Sequence, residues 1–259
     1  MYYGVQLAAS GALTALYRTD VLANNLANAD TAGFKPDFAY ARQRDVVRVE
    51  DDLPFMPSNE LLEKLGAGVH MAPNAVDHTQ GTLSETGNPL DLAIRGDGFF
   101  VLRTLADSGT AGIRFSRDGR FTLDSSGRLV NATTGLPVMS DSNLPITLDR
   151  GLAVSVDTDG TVRQAGDAVA RIQITDIKDR ALLTRVGDGM FKMSNSALGQ
   201  TIPATGTIQQ GMIEGSAVNA INAMMGVQAA AKSVGTNFTM IAYQNRMMDR
   251  AINTFGRIA

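Results

Sequence analysis

The two histidines are the first residues to test for chemistry, because imidazole serves as both a metal ligand and a general base. His70 and His78 stand eight residues apart. A zinc site would require both to converge with a carboxylate such as Asp77, and no i, i+4 spacing on a helix arranges this. We therefore expect surface histidines, or histidines satisfied within the fold, and predict no metal site.

Two short segments rich in glycine and aspartate resemble ligand loops. The GDG sequence at residues 96–98 is similar to the start of a dinucleotide loop, but no third glycine follows and no helix begins there. The DTDG sequence at residues 157–160 is similar to half of a calcium loop, but the closing glutamate is absent. Both are predicted to be tight hairpin turns.

The rest of the chain contains no catalytic signature. There is no cysteine, and no Walker loop, nucleophile elbow or HExxH motif. A net charge of -3 gives no reason to expect nucleic acid or an anionic membrane as a partner. We predict a protein that is not an enzyme and has no cofactor and no small-molecule substrate. An exported β-domain enzyme or binding protein with oligomerising helices is the alternative, although the absence of tryptophan argues against sugar stacking.

The N-terminal apolar residues are spaced as in an amphipathic helix. From Val5 to Leu26 they recur at intervals of three and four, and alanine dominates the stripe. The predicted helix ends near residues 27–30, before the Thr31-Ala32-Gly33 segment. No basic segment followed by an apolar core precedes it, so a cleavable signal peptide is not expected.

The C-terminal stripe is longer and more regular. From Met224 to Phe255 a strict alternation of three and four residues is sustained for over four heptads, with Asn245 as the one polar member. Gly226 and Gly235 weaken such a helix by about 1 kcal/mol each relative to alanine. This helix is therefore expected to need a partner.

The middle of the chain is predicted to be antiparallel β structure. Short strand-like runs are separated by glycine-containing turns at residues 96–98, 117–120, 125–128 and 157–160, which are hairpin signals. Residues 37–68 form a charge-rich connector, with a short helix expected around residues 59–65.

Four segments of the chain carry motifs that recur in one known family. Residues 23–35 read ANNLANADTAGFK, which resembles the ANNLAN…T.GFK hallmark of the bacterial flagellar rod and hook axial proteins. Residues 90–100 are similar to its LD.AI.G.GFF segment, residues 115–121 to its Y/F-T-R-x-G-x-F hairpin, and residues 210–219 to the lead-in to its last helix. The last helix departs from the family pattern at Val234 and Gly235. We therefore favour a proximal rod protein, with a distal rod or hook-type protein as the alternative.

The resemblance implies an α+β protein in which the N- and C-terminal helices pair as a coiled-coil axial domain around a central, mainly antiparallel β domain. Expected boundaries are 1–36 and 215–259 for the axial domain, 37–68 for the connector and 69–214 for the outer β domain. It also implies a structural subunit of the flagellar basal-body rod, in the periplasm. The subunit would be exported by the flagellar type III apparatus without signal cleavage, and would assemble with itself and other axial proteins into a tube that transmits torque and serves as an export channel.

The assembly interface is predicted on the two helical stripes. Its residues are Val5, Ala8, Ala12, Ala15, Leu22, Asn24, Asn25, Leu26, Asn28, Met224, Val227, Ala231, Val234, Phe238, Ile241, Asn245, Met248, Ile252 and Phe255. The three N-terminal asparagines are open to two interpretations: capping of the helix end, or amide hydrogen bonds between subunits. Asn245 is the cleaner candidate for an amide that fixes register.

Overall fold

The computed structural model describes residues 3–50, 52, 66, 68–104, 112–193 and 200–255. The chain forms two compact units. The helical unit comprises residues 1–27, 37–77 and 219–259, and the β unit comprises residues 28–36 and 78–218. The short helix expected near residues 59–65 lies outside the described residues, as do the connector residues 51, 53–58 and 67.

Two long helices dominate the helical unit. Helix α1 spans Tyr3–Ala27 and helix α3 spans Ala220–Phe255, and the two pack against each other in antiparallel orientation. The Asn219 side chain caps α3 by accepting a hydrogen bond of 3.0 Å from the backbone N–H of Asn222. The predicted pairing of the two terminal helices is confirmed.

A narrow antiparallel arm completes the helical unit. Strand β1 (Asp37–Phe38) pairs with β4 (Ala75–Val76), and β2 (Ala41–Gln43) pairs with β3 (Val69–Met71). The short helix α2 (Val47–Glu50) follows β2. This arm packs against α1, where the Tyr17 hydroxyl donates to the Asn74 side chain over 3.1 Å.

The β unit contains fifteen described strands, β5 to β19, and all their pairings are antiparallel. Their bounds are β5 Leu83–Glu85, β6 Leu92–Arg95, β7 Phe99–Arg103, β8 Ile113–Ser116, β9 Phe121–Leu123, β10 Leu129–Asn131, β11 Val154–Val156, β12 Thr161–Gln164, β13 Asp167–Arg171, β14 Ile174–Ile177, β15 Leu183–Gly187, β16 Met190–Met193, β17 Thr201–Pro203, β18 Thr207–Gln210 and β19 Met212–Glu214. A 3-10 helix, Arg180–Leu182, lies between β14 and β15. The predicted central antiparallel β domain is confirmed.

The largest sheet of the β unit has six strands in the order β15-β16-β8-β7-β14-β17. A three-stranded sheet, β11-β12-β13, and three strand pairs, β9–β10, β6–β18 and β5–β19, complete the unit. The core lies between these sheets and includes Leu92, Phe100, Leu129 and Ile172, each 2% exposed or less. Burial of these apolar side chains is the main stabilising contribution.

Two of the predicted hairpin turns are confirmed and two are wrong. Turns at Gly127 and Gly160 join the paired strands β9–β10 and β11–β12, and both glycines have positive φ. The turn at residues 96–98 instead connects β6 to β7, which do not pair with each other. Residues 117–120 connect β8 to β9, which also remain unpaired with each other. The buried side chains of Arg117 and Asp118 hold this second segment inside the unit, so the chain crosses to a different sheet.

The two units divide the chain differently from the predicted domains. Residues 28–36 belong with the β strands, because Phe34 and Lys35 are buried there. Residues 37–77 belong with the helices, because the arm packs against α1. The division into an axial domain, a connector and an outer domain stays a prediction about the assembled protein.

Candidate assembly interface

The surface of α3 that faces α1 is a continuous seam. Its buried and half-buried residues recur at alternating intervals of four and three. They are Ala223, Val227, Ala230, Val234, Asn237, Ile241, Gln244, Met248 and Ala251. The spacing averages 3.5 residues, close to the helical repeat of 3.6, so these side chains form one stripe along α3.

The predicted C-terminal stripe coincides with half of this seam. Val227, Val234, Ile241 and Met248 are half-buried in it. The other described members of the prediction lie beside the seam with exposed side chains: Met224, Ala231, Phe238, Asn245 and Ile252. Phe255 is the last residue of α3.

The predicted stripe differs from the observed seam because half of the seam consists of small or polar residues. Residues 223, 230, 237 and 244 are alanine, alanine, asparagine and glutamine, so hydrophobicity alone favours their larger apolar neighbours. Alanine and glycine lie in the seam because the two helices approach closely there. The signal that could have found them is small-residue periodicity, not apolar periodicity.

On α1 most of the predicted residues face inward. Ala8, Ala12 and Ala15 are buried, and Val5, Leu22 and Leu26 are half-buried. Val21 is buried at 8% exposure and was not predicted. The alanine surface of α1 thus packs within the subunit, and its role between subunits stays a prediction.

The three asparagines differ in environment. Asn25 is buried, donates to the Asp37 carbonyl over 2.8 Å and accepts from the Asp37 N–H over 3.0 Å. Asn28 accepts a 3.1 Å hydrogen bond from the Thr31 hydroxyl, which closes the turn after the helix. Asn24 is exposed. The contact of Asn28 is the one expected for the capping interpretation, whereas Asn25 joins the last turn of α1 to β1 within the subunit.

Large apolar side chains are exposed along both helices. Leu13 on α1 is 67% exposed, and Phe238 and Tyr243 on α3 are each 54% exposed. Others on the two helices are Leu7, Leu16, Tyr17, Ile221, Met224, Met225, Met240, Met247 and Ile252. Several large apolar side chains exposed on one helix are candidates for an interaction surface.

The segment that follows α1 enters the β unit beside the segment that precedes α3. The Gly33 N–H donates to the Glu214 carbonyl over 2.7 Å, and the Ala217 N–H donates to the Phe34 carbonyl over 3.0 Å. Lys35 Nζ lies 2.5 Å from Glu214 Oε1 and donates to the Thr79 carbonyl over 2.6 Å. The segment that follows α1 and the segment that precedes α3 therefore contact each other directly inside the β unit.

A second cation completes this buried cluster. Arg117 Nη1 lies 3.0 Å from Glu214 Oε2, and its Nη2 donates to the Gly96 carbonyl over 2.8 Å. The Gly81 N–H donates to Glu214 Oε1 over 3.0 Å. One carboxylate thus receives two cations and a backbone N–H, which compensates much of its desolvation.

The cluster was not predicted from the sequence, yet a signal for it was present. Lys35, Arg117 and Glu214 each lie in a different one of the segments that resemble the axial family. The fold brings these three segments to one buried point. Cation–π contacts surround it: Arg117 lies 5.3 Å from the Phe99 ring centroid, and Arg185 lies 4.7 Å from that of Phe34.

The titratable groups do not assemble a reactive site within the described residues. His78 packs against the Phe99 and Phe191 rings, at centroid distances of 5.8 and 5.5 Å, while His70 is exposed on β3. No group of three or more metal-ligating side chains occurs in the described ranges. No described helix is long and apolar enough to cross a membrane.

One surface ion pair perturbs a carboxyl group. Arg180 Nη2 lies 2.6 Å from Asp97 Oδ1. The hydrogen bond from this guanidinium, together with its charge, lowers the pKa of Asp97 below its usual value. The same Arg180 also binds Asp176, so the pair holds the turn at residues 96–98 against the end of β14.

Two models of known protein families match separate parts of the chain. Residues 6–35 match the flagella basal body rod protein family, and residues 93–164 match the D1 domain of the flagellar hook protein FlgE/F/G family. The chain is 32% identical to the flagellar basal-body rod protein FlgF of Caulobacter vibrioides, over 92% of each chain.

Two further relatives extend the match. The chain is 28% identical to the rod protein FlgG of Agrobacterium fabrum, over 93% of this chain and 95% of that one. It is also 28% identical to FlgF of Mesorhizobium japonicum over 99% of each. The chain therefore belongs to the flagellar basal-body rod protein family, whose members are structural proteins of the flagellar basal body and not enzymes.

Proposed function

We propose that this chain is a proximal rod subunit that assembles through α1 and α3 into a helical tube. The observation that carries the proposal is the exposed heptad row on α3 beside the seam, in which only Asn245 is polar: Met224, Ala231, Phe238, Asn245 and Ile252. Repeated head-to-tail contacts between different surfaces of identical subunits produce a helical filament when they do not close into a ring.

Within the subunit, we propose that the seam is a coiled coil. Alternating spacing of four and three residues on α3, and small residues on α1, are the features that support it. The neighbouring rows would then contact other copies and other axial proteins. Burying side chains that are about half exposed in one subunit would contribute roughly 25 cal/mol per Å² of apolar surface.

The same proposal covers the position of the subunit in the rod and its route of export. The departure of the last helix from the family pattern at Val234 and Gly235 favours the proximal rod, and a distal rod or hook-type position is the alternative. We propose export through the flagellar type III apparatus with no cleavage, and a rod that transmits torque and conducts exported chains without binding a small molecule.

Electron microscopy of the purified protein at high concentration tests the assembly proposal. The native chain is expected to form rods or short tubes. The Phe238→Ser variant should keep its thermal unfolding midpoint but form few tubes, because the side chain is exposed in the subunit and buried only in the assembly.

Val169→Ser is the matched control, since Val169 on β13 is 46% exposed. It should assemble like the native chain. Discrete closed oligomers from the native protein, or normal tubes from Phe238→Ser, would contradict the proposed role of this helix.

A further inference from the structure

Three glycines of the helix pair each face a larger side chain of the opposite helix. A Cβ added to Gly4 would lie 2.6 Å from Gln244 Nε2, and one added to Gly11 would lie 2.9 Å from Asn237 Oδ1. On α3, a Cβ added to Gly226 would lie 3.2 Å from Leu22 Cδ1. These separations are below ordinary van der Waals contact, so each glycine leaves space that its neighbour occupies.

The three pairs share one register. In each pair the two residue numbers add to 248, as they do when antiparallel helices are aligned residue for residue. The same relation places Arg18 level with Ala230 and Asn25 level with Ala223. Every seventh residue of α1 from Gly4 to Asn25 therefore lies level with a residue of α3, and in each pair one residue is small and the other is larger.

A fourth glycine shows that these contacts are specific. Gly235 lies in the same helix, but a Cβ added to it would meet nothing within 4 Å. Because glycine is the least favourable residue in a helix interior after proline, each seam glycine weakens its own helix. Only the side chain that the opposite helix places against it offsets this loss.

The side-chain amides of Asn237 and Gln244 indicate that these pairs select one alignment of the helices and do not simply stabilise the helix pair. The Asn237 amide donates to the Ser233 carbonyl of its own helix over 2.9 Å. The Gln244 side-chain oxygen is buried and has no hydrogen-bond partner among the described residues. Polar side chains in a helix seam characteristically specify alignment at a cost in stability.

We propose that the pairs Gly4–Gln244, Gly11–Asn237 and Leu22–Gly226 set the register of α1 against α3. A shift of one heptad in either direction would keep at most one glycine–amide contact and would separate Leu22 from Gly226. The inference deepens the proposed function, because it rests on the pairing of these helices in the working subunit. It assigns the register within the subunit to Asn237 and Gln244, and not to Asn245, whose side chain is exposed beside the seam.

Matched leucine substitutions test the steric part. Gly11→Leu and Gly235→Leu gain equal helix propensity, and differ only in the space around the new side chain. Gly235→Leu should raise the thermal unfolding midpoint of the helices by about 2–4 °C. Gly11→Leu should lower it by at least as much, because the new side chain would displace the Asn237 amide.

The reciprocal double variant Gly11→Leu/Asn237→Gly should recover most of that loss. It reproduces the arrangement that Leu22 and Gly226 already have in another layer of the seam. Equal effects of Gly11→Leu and Gly235→Leu would overturn the proposal, as would a double variant no more stable than Gly11→Leu.

Distances between spin labels test the register itself. The chain contains no cysteine, so labels can be placed at Asp20→Cys and Ala242→Cys, both exposed positions. These positions are offset by 14 residues along the seam, or about 21 Å at 1.5 Å per residue, and a slip of one heptad would change the offset by about 10 Å. The native seam should give one distance, and the Leu22→Ala/Asn237→Ala/Gln244→Ala variant should give at least two. A single unchanged distance in that variant would overturn the proposal.

The register and the assembly are scored separately. Label distances are measured on the soluble chain, whereas tube formation is measured by electron microscopy. A triple variant that keeps a single label distance would count against the register proposal alone, whether or not it forms tubes. A native chain with one register that forms no tubes would count against the proposed function alone.

Discussion

The Lys35 ammonium group lies 2.5 Å from the Glu214 carboxylate, although 179 residues separate the two along the chain. Both side chains are almost fully buried, and Arg117 contacts the same carboxylate. The pair joins the segment that leaves α1 to the segment that leads into α3. It thus holds these two chain segments together inside the β unit.

Removing the carboxylate should destabilise the β unit strongly. In Glu214→Ala, two buried cations would lose their counter-charge, and the free energy of unfolding should fall by about 3–5 kcal/mol. Urea unfolding followed by circular dichroism measures the change. The triple variant Lys35→Met/Arg117→Met/Glu214→Leu should be more stable than Glu214→Ala, since it buries no unpaired charge.

Asp157→Ala is the control for this prediction. Its partner Arg163 is 2.7 Å away, and both side chains are more than 40% exposed. Exposed ion pairs contribute about 0–1 kcal/mol, so this variant should change stability little. Equal losses in Glu214→Ala and Asp157→Ala would show that the buried cluster does not stabilise the unit.

Gly33 in the T-A-G-F-K segment should not tolerate a side chain. Its φ of +67° is left-handed, and a Cβ would lie 2.5 Å from the backbone of Arg117 and Asp118. Gly87 has a similar φ of +71° but no atom within 4 Å of a Cβ, so Gly87→Ala should cost only the conformational strain of about 1–2 kcal/mol. Gly33→Ala should cost clearly more in the same urea titration. Equal costs would mean that the backbone contact adds nothing to the strain.

Acid should weaken the contact between Asp97 and Arg180. The pKa of Asp97 is lowered in the folded state by the Arg180 hydrogen bond. A lowered folded-state pKa contributes stability above the unfolded-state pKa, near 4, and that contribution is lost as the pH falls through the folded-state pKa. The stability advantage of the native chain over Asp97→Asn should therefore shrink below about pH 4. Carboxyl NMR titration of Asp97 gives the direct check: a midpoint at or above the value for an unstructured peptide would contradict it.

Asn245→Leu separates contacts within the subunit from contacts between subunits. Its side chain is exposed beside the seam, so helix pairing in the soluble chain should be unchanged. If the amide fixes register between subunits, tubes should form with disordered helical order and cells should swim poorly. Helical diffraction from the tubes and a swimming assay measure the two effects. Native order and motility in this variant would remove Asn245 from the interface.

The sequence determined the helices, the antiparallel β unit and the family. Period-3.6 apolar spacing, turn glycines and the segments at residues 23–35 and 90–121 are local signals, and they can be recognised without knowing which parts of the chain meet. The pairing of the terminal helices also followed, because two long apolar stripes require a partner surface.

Only the tertiary structure decided which face of α3 meets α1 and where the charges are buried. The hydrophobic pattern predicted that Met224 and Phe238 contact α1. The close approach of the helices instead places Ala223, Asn237 and the residues at heptad spacing from them in that contact. The cluster of Lys35, Arg117 and Glu214 depends on contacts between residues that are 82 to 179 positions apart. No local spacing encodes such contacts, because they exist only once the β strands have brought three distant segments to one point.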